Sequence, residues 1–173
     1  MHLPRPMTLL VLALLGAGQM CRAQTDPCSG YKWDVSAERA LFAMPAQAVV
    51  AGKDRAAAPA VVPGRFYAVT VMPVSDVSFP AAPARTPPSG SFAGILALTL
   101  PAGGKYRVSA DVPLWIDVVG GTTLAPVLDY EGQHECSAPR KVVVFDLAGR
   151  TDWTLQLSAA DRVSVRLAVT TVR

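Results

Sequence analysis

The chain has 173 residues, 51% of them hydrophobic and 17% charged, with a net charge of +3. That length suits a single domain and can bury about 70% of the surface its unfolded form exposes. Charges so nearly balanced exclude a nucleic-acid partner drawn in by electrostatics.

The first segment, MHLPRPMTLLVLALLGAGQMCRA, opens on the basic Arg5, is apolar from Met7 to Ala17 and ends on the small residue Ala23. This is the pattern of a secretory signal peptide, covering residues 1–23 and leaving a domain over residues 24–173 in the periplasm or outside the cell. A lipid anchor on Cys21 is the alternative, but Gly18, Gln19 and Met20 match poorly the small and aliphatic residues that precede such a cysteine. The apolar run is shorter than the roughly 20 residues that cross a bilayer, and no later segment sustains one, so no membrane span is expected. The 16 basic residues less Arg5 and Arg22 leave 14 against 13 acidic, a net charge of +1 after cleavage.

Of three cysteines, Cys28 and Cys136 lie beyond the leader. In an oxidising compartment they are expected to form one structural disulfide. The closed loop, 136 − 28 = 108 residues, could contribute about 4–5 kcal/mol in the chain-entropy account. A redox or metal role would call for CxxC spacing or a helix N-terminus to activate a thiolate.

Between Cys28 and Val62 the pattern is irregular, although SAERALFA sets Ala37, Ala40 and Leu41 on one helical face and predicts one or two helical turns. From Arg65 onward, side chains alternate. RFYAVTVMPV, FAGILALTL, KYRVSADV, LWIDVVG, TLAPVLDYEG, RKVVVFDL, DWTLQLS and RVSVRLAVTTV read as strands. FAGILALTL is apolar on both faces, and KYRVSADV puts Tyr106, Val108, Ala110 and Val112 on one side. The last three strands set Lys141, Val143, Phe145 and Leu147, then Trp153, Leu155 and Leu157, then Val163, Val165, Leu167 and Val169 toward a core. Their opposite faces carry Arg140, Asp146, Thr154, Gln156, Arg162, Ser164 and Arg166. One buried and one wet face per strand is antiparallel behaviour. The expected fold is all-β: an antiparallel sandwich or jelly roll of about eight strands with a short N-terminal helical segment. Residues 80–91, with Pro80, Pro83, Pro87 and Pro88, cannot pair as a central strand. They read as a surface loop, serving either as a lid or docking segment or as a tolerated insertion. An outer-membrane barrel is set aside because these strands are mostly shorter than the roughly 9–11 residues that cross a bilayer.

The histidine inventory limits the chemistry. His2 leaves with the leader, so His134 alone remains, and neither a facial triad of two histidines and a carboxylate nor a three-histidine zinc site can form within one protomer. Ser137 and His134 are three apart in one turn-rich loop, and no GxSxG elbow exists. The carboxylates Asp111, Asp117, Asp129, Glu131 and Asp146 read as turn acids and ion-pair partners. An acid/base pair acting on a glycosidic bond and calcium held by Asp129 and Glu131 are the functional alternatives. PAGGK and VGGTT are hairpin turns without a following helix, so no phosphate loop is expected. No catalytic residue, metal or cofactor is assigned.

Trp115 is the candidate binding residue. With unbroken alternation, Lys105, Arg107, Ser109, Asp111, Trp115 and Asp117 share one polar face. A flat aromatic flanked by hydrogen-bonding groups can hold the C–H face of a sugar. A bulge near Pro113 would turn Trp115 inward instead, as a seal on the core. Both readings stay open at this level, with Trp115, Asp111, Asp117 and Arg107 as the candidate ligand-binding set.

The strands GKYRVSADVPLWIDVV, RKVVVFDL and LQLSAADRVSVRLAV resemble bacterial pre-peptidase C-terminal domains, small secreted jelly rolls in which a GxYxV strand recurs. Their calcium-associated acidic turn is replaced here by GGTTLAP, so neither calcium nor sugar binding carries over. With CSGYKWDVSAERALF included, the chain also resembles small secreted bacterial β-sandwich proteins, some labelled homogentisate dioxygenase. The iron chemistry of that label needs histidine ligands that this inventory lacks. The resulting expectation is a non-catalytic, exported binding or accessory module for carbohydrate or a cell-envelope glycan. A protein-interaction module, such as a periplasmic inhibitor or assembly factor, is the alternative, and an enzyme comes third.

Overall fold

A computed structural model describes residues 26–172; the leader, its cleavage point and Cys21 lie outside them. The order is α1 (Ser36–Phe42), β1 (Gln47–Val50), β2 (Ala60–Val61), β3 (Phe66–Thr70), β4 (Met72–Pro73), β5 (Phe92–Thr99), β6 (Lys105–Ala110), β7 (Trp115–Gly120), β8 (Thr123–Leu124), β9 (Val127–Gly132), β10 (Lys141–Asp146), β11 (Asp152–Ala160) and β12 (Ser164–Thr171). The first sheet runs β1-β3-β12-β6-β10-β9, and the second β2-β5-β11-β7-β8 with β4 added beside β5. Both are open sheets, and one apolar core between them makes the fold an all-β sandwich. No helix among the described residues is long and apolar enough to cross a membrane.

Alternation builds that core. Tyr106, Val108 and Ala110 of β6, Ile116 and Val118 of β7, Val143 and Phe145 of β10, Leu155 and Leu157 of β11, and Val165, Leu167 and Val169 of β12 all point between the sheets. Because inner and outer side chains have a strict period of two, one correct register sets every residue of a strand. Val163, aligned by parity with the core, lies before β12 and is exposed. At Gly94 of β5 an added Cβ would stand 2.4 Å from the Cβ of Ala51, so only glycine lets these segments approach so closely.

Two features depart from a purely antiparallel sandwich. The pairs β1/β3 and β2/β5 are parallel. The chain leaves the first sheet after β1, adds β2 to the second and returns as β3, a crossover that lets β3 run alongside β1 in the same direction. Helix α1 forms where predicted; of its expected apolar face Leu41 is half-buried against the Phe42 cluster, but Ala37 and Ala40 face solvent, and the fully buried residues are Glu38 and Phe42. The side chain that docks the helix is Phe42, against Phe66 at 4.8 Å between ring centroids.

The Cys28 and Cys136 sulfurs are 2.07 Å apart, a disulfide. It joins Tyr31, Val35 and Val142 in a small cluster on the outer side of the first sheet. The N-terminal segment is further held by the Tyr31 hydroxyl donating to the Pro139 carbonyl, and by Gln133 Nε2 donating to the Gly30 carbonyl.

Residues 80–91 form a strap over the outer face of the second sheet. The backbone N–H of Ala81 donates to Gln156 Oε1 and that of Ala84 to Asp117 Oδ2. The expectation of a wet outer face on β11 therefore fails: Thr154 and Gln156, and Ser158 beyond them, are buried.

Candidate functional site

Strand β7 brings Trp115 and Asp117 to the outer face of the second sheet, opposite Ser158 and Gln156 of β11. Trp115 is half-buried and lies outside the core cluster. Its Nε1–H donates to Asp117 Oδ1 at 3.1 Å, which fixes the ring's orientation. Two cations approach that ring, Lys141 Nζ at 4.8 Å and the Arg85 guanidinium at 5.8 Å from the centroid. Lys141 opens β10 at an inward-facing position and reaches across the end of the sandwich, donating to the Leu114 carbonyl at 2.7 Å. Arg85 is carried by the strap, is exposed, and makes no ion pair among the described residues.

Burial and charge act together here. Burial pushes the Asp117 carboxyl above the usual range, partly offset by the N–H of Ala84, the indole N–H and the nearby Lys141. Desolvation pulls the Lys141 ammonium down; Asp117 opposes that, and the neighbouring Arg85 reinforces it. The cluster of Asp117, Lys141 and Arg85 thus carries one anion and two cations around a tryptophan. Next to it, Gln156 Nε2 and Ser158 Oγ are buried without a partner.

The other two candidates lie elsewhere. Parity is kept from β6 to β7, but the chain passes from the first sheet to the second at residues 111–114, so odd positions face outward on opposite sides of the sandwich. Asp111 sits at that passage and accepts from the backbone N–H and the Nε of Arg166, both at 2.7 Å. Arg107 lies on the outer face of the first sheet, where its Nη1 donates to the Asp34 carbonyl at 2.7 Å. The single shared polar face is therefore corrected to two separate ones.

His134 is exposed and meets the Arg140 guanidinium at Nδ1, with no hydrogen bond to Ser137. Asp129 is paired with Lys32 Nζ at 2.5 Å, and Glu131 accepts from the Lys32 backbone and from Gln133. Among the described residues no three His, Cys, Asp or Glu side chains gather as a metal-binding group.

Arg85, Lys141, Gln156 and Ser158 escaped sequence reasoning because they come from three other segments. Lys141 did leave a trace, a cation at the head of the inward series Val143, Phe145. Compared with known proteins, the chain matches no family model, no curated protein and no solved structure.

Proposed function

We propose that the chain is an exported, non-catalytic binding module whose ligand is an acidic glycan seated on Trp115. The leader pattern and the Cys28–Cys136 bridge support export, and the resemblance to pre-peptidase C-terminal domains supports an accessory role. One observation carries the ligand reading: the half-buried Trp115 ring, held by Asp117, has beside it the guanidinium of Arg85, which makes no ion pair among the described residues. An indole face suits the C–H face of a pyranose. A guanidinium fork beside it suits a carboxylate on the same sugar.

Titration with a galacturonate oligosaccharide, with a neutral cello-oligosaccharide as control, tests this. The acidic ligand binds, and Trp115→Ala and Arg85→Ala each weaken it by at least about ten-fold, or roughly 1.4 kcal/mol. Equal binding of the neutral oligosaccharide, or unchanged affinity in Trp115→Ala, refutes it.

The protein-interaction alternative has its own support in the edge strand β9, which exposes Val127, Leu128 and Tyr130. An edge with unpaired backbone groups and apolar side chains can accept an extended strand from another polypeptide. On that reading, Tyr130→Lys abolishes capture of a partner and leaves glycan binding intact.

A further inference from the structure

Where the chain passes from the first sheet to the second, a small pocket of about 100 Å³ opens, lined by Pro113, Gly132, Gln133, His134, Arg140 and Lys141. Antiparallel register sets Gly132 at the end of β9 beside Lys141 at the start of β10. No acidic side chain lines the pocket. Arg140 and Lys141, like Arg85, make no ion pair among the described residues. Arg140 is fixed by its neighbour: Nη1 donates to the His134 carbonyl at 3.1 Å, and Nη2 meets His134 Nδ1 at 3.0 Å. A guanidinium only donates, so Nδ1 is the acceptor and the ring N–H sits on Nε2. The Nε–H of Arg140 has no partner among the described residues and, unlike that of Arg107, is not buried. His134 is exposed. The pocket therefore offers hydrogen-bond donors that a molecule arriving from solvent can reach.

This pocket is continuous with the surroundings of Trp115. Lys141 lines it and also stands 4.8 Å from the Trp115 ring centroid, its Nζ donating to the Leu114 carbonyl. Pro113, exposed and two residues before Trp115, adds an apolar ring to the lining. The volume is well below the roughly 300–1,000 Å³ of sites that enclose a whole small ligand, so the pocket suits one substituent of a larger ligand. Two cations with no acid among the lining residues select an anionic substituent, and a guanidinium suits a carboxylate. A carboxylate seated here would join Asp117 in offsetting the desolvation that pulls the Lys141 ammonium down.

From this geometry we infer that the acidic glycan is a polyuronate read over neighbouring sugars: one pyranose lies on Trp115 with its carboxylate at Arg85, and the carboxylate of the next enters this pocket and accepts from Arg140 Nε. Lys141, common to the ring and the pocket, supplies positive potential to both carboxylates. His134 holds the Arg140 guanidinium in position and carries a further N–H at Nε2. The inference rests on the acidic-glycan reading and deepens it, since chain length as well as charge then sets the affinity.

The test is calorimetric titration of the disulfide-bonded protein at neutral pH with trigalacturonate and with galacturonic acid, which carries a single carboxylate. The trimer binds at least about ten-fold more tightly than the monomer, because its second contact is made within one molecule. Arg140→Ala weakens the trimer by at least about ten-fold and brings the two sugars to within about three-fold of each other. His134→Asp, a change at an exposed position, sets a carboxylate against the incoming one and weakens the trimer by at least about three-fold; it serves where Arg140→Ala fails to fold. Trp115→Ala weakens both sugars. A trimer that depends on Trp115 but binds no more tightly than the monomer, or that keeps full affinity in a folded Arg140→Ala or in His134→Asp, overturns this inference and leaves the acidic-glycan reading standing. Absence of saturable binding of the trimer overturns both.

Discussion

Replacing Trp115 separates its part in the fold from its part in binding. Its N–H to Asp117 Oδ1, at 3.1 Å, is a bond to a carboxylate, of a kind that contributes about 1.5–3 kcal/mol. Lys141 at 4.8 Å from the ring is largely withdrawn from water, and such a cation–π contact is worth about 1–2 kcal/mol. Arg85, exposed and at 5.8 Å, adds about 0.5 kcal/mol or less. Trp115→Leu removes all three but keeps an apolar side chain, so a loss of about 3 kcal/mol is expected, against an all-or-none unfolding free energy of about 5–15 kcal/mol for a domain of this kind. Trp115→Phe keeps a ring for Lys141 and loses chiefly the hydrogen bond, about 1.5–2 kcal/mol. Urea denaturation of oxidised protein at neutral pH measures both, and a double-mutant cycle with Lys141→Met isolates the ring–cation contact. A coupling of about 1 kcal/mol is expected. Additivity of Trp115→Leu and Lys141→Met to within about 0.3 kcal/mol would show that the two side chains do not interact and would strike the ring–cation contact from this reckoning.

Reducing the disulfide, or Cys28→Ser with Cys136→Ser, releases a loop spanning a sequence separation of 108; it should lower stability by up to about 4–5 kcal/mol, read as a fall in the urea midpoint. Gly94→Val sets a branched side chain against Ala51, where even a Cβ would lie 2.4 Å from the neighbouring Cβ; a loss of more than about 2 kcal/mol by thermal melting is expected, and a wild-type melting temperature would contradict it. Asp117 carries a folded-state pKa raised above 3.8 by burial, so the native state holds that proton more tightly than the unfolded chain. Its contribution to stability is therefore full below 3.8 and is lost as pH rises through the folded value, a slope that Asp117→Asn should flatten between pH 3.8 and neutrality. An unchanged pH profile in that variant would assign the slope to other groups.

Much of the architecture was legible because a strand's inner and outer positions depend on neighbours two residues away. From Tyr106 to Val118 the even positions enter the core as alternation demands, and Cys28 meets Cys136. The helical turn over SAERALF was legible too, but its buried side was not. Ala37, Ala40 and Leu41 looked like the apolar face; Leu41 does pack beside Phe42, but the two alanines face solvent, and Phe42 found Phe66 and carried Glu38 down beside Thr170 and Arg107. The polar face of β11 looked wet, and the strap, bonded to Gln156 and to Asp117 on the neighbouring strand, covers it there.

Sequence alone determined the period of the strands, the pairing partners for a disulfide and the poverty in imidazole, since each is a property of local pattern or of inventory. Tertiary structure decided which sheet each strand joins. Asp111, Arg107 and Trp115 share a parity, yet the passage of the chain between sheets at residues 111–114 sends Arg107 and Trp115 to opposite sides of the sandwich and leaves Asp111 at the crossing. Local alternation fixes inside against outside. Which outside is a matter of long-range pairing, whose register comes from strands up to a hundred residues away.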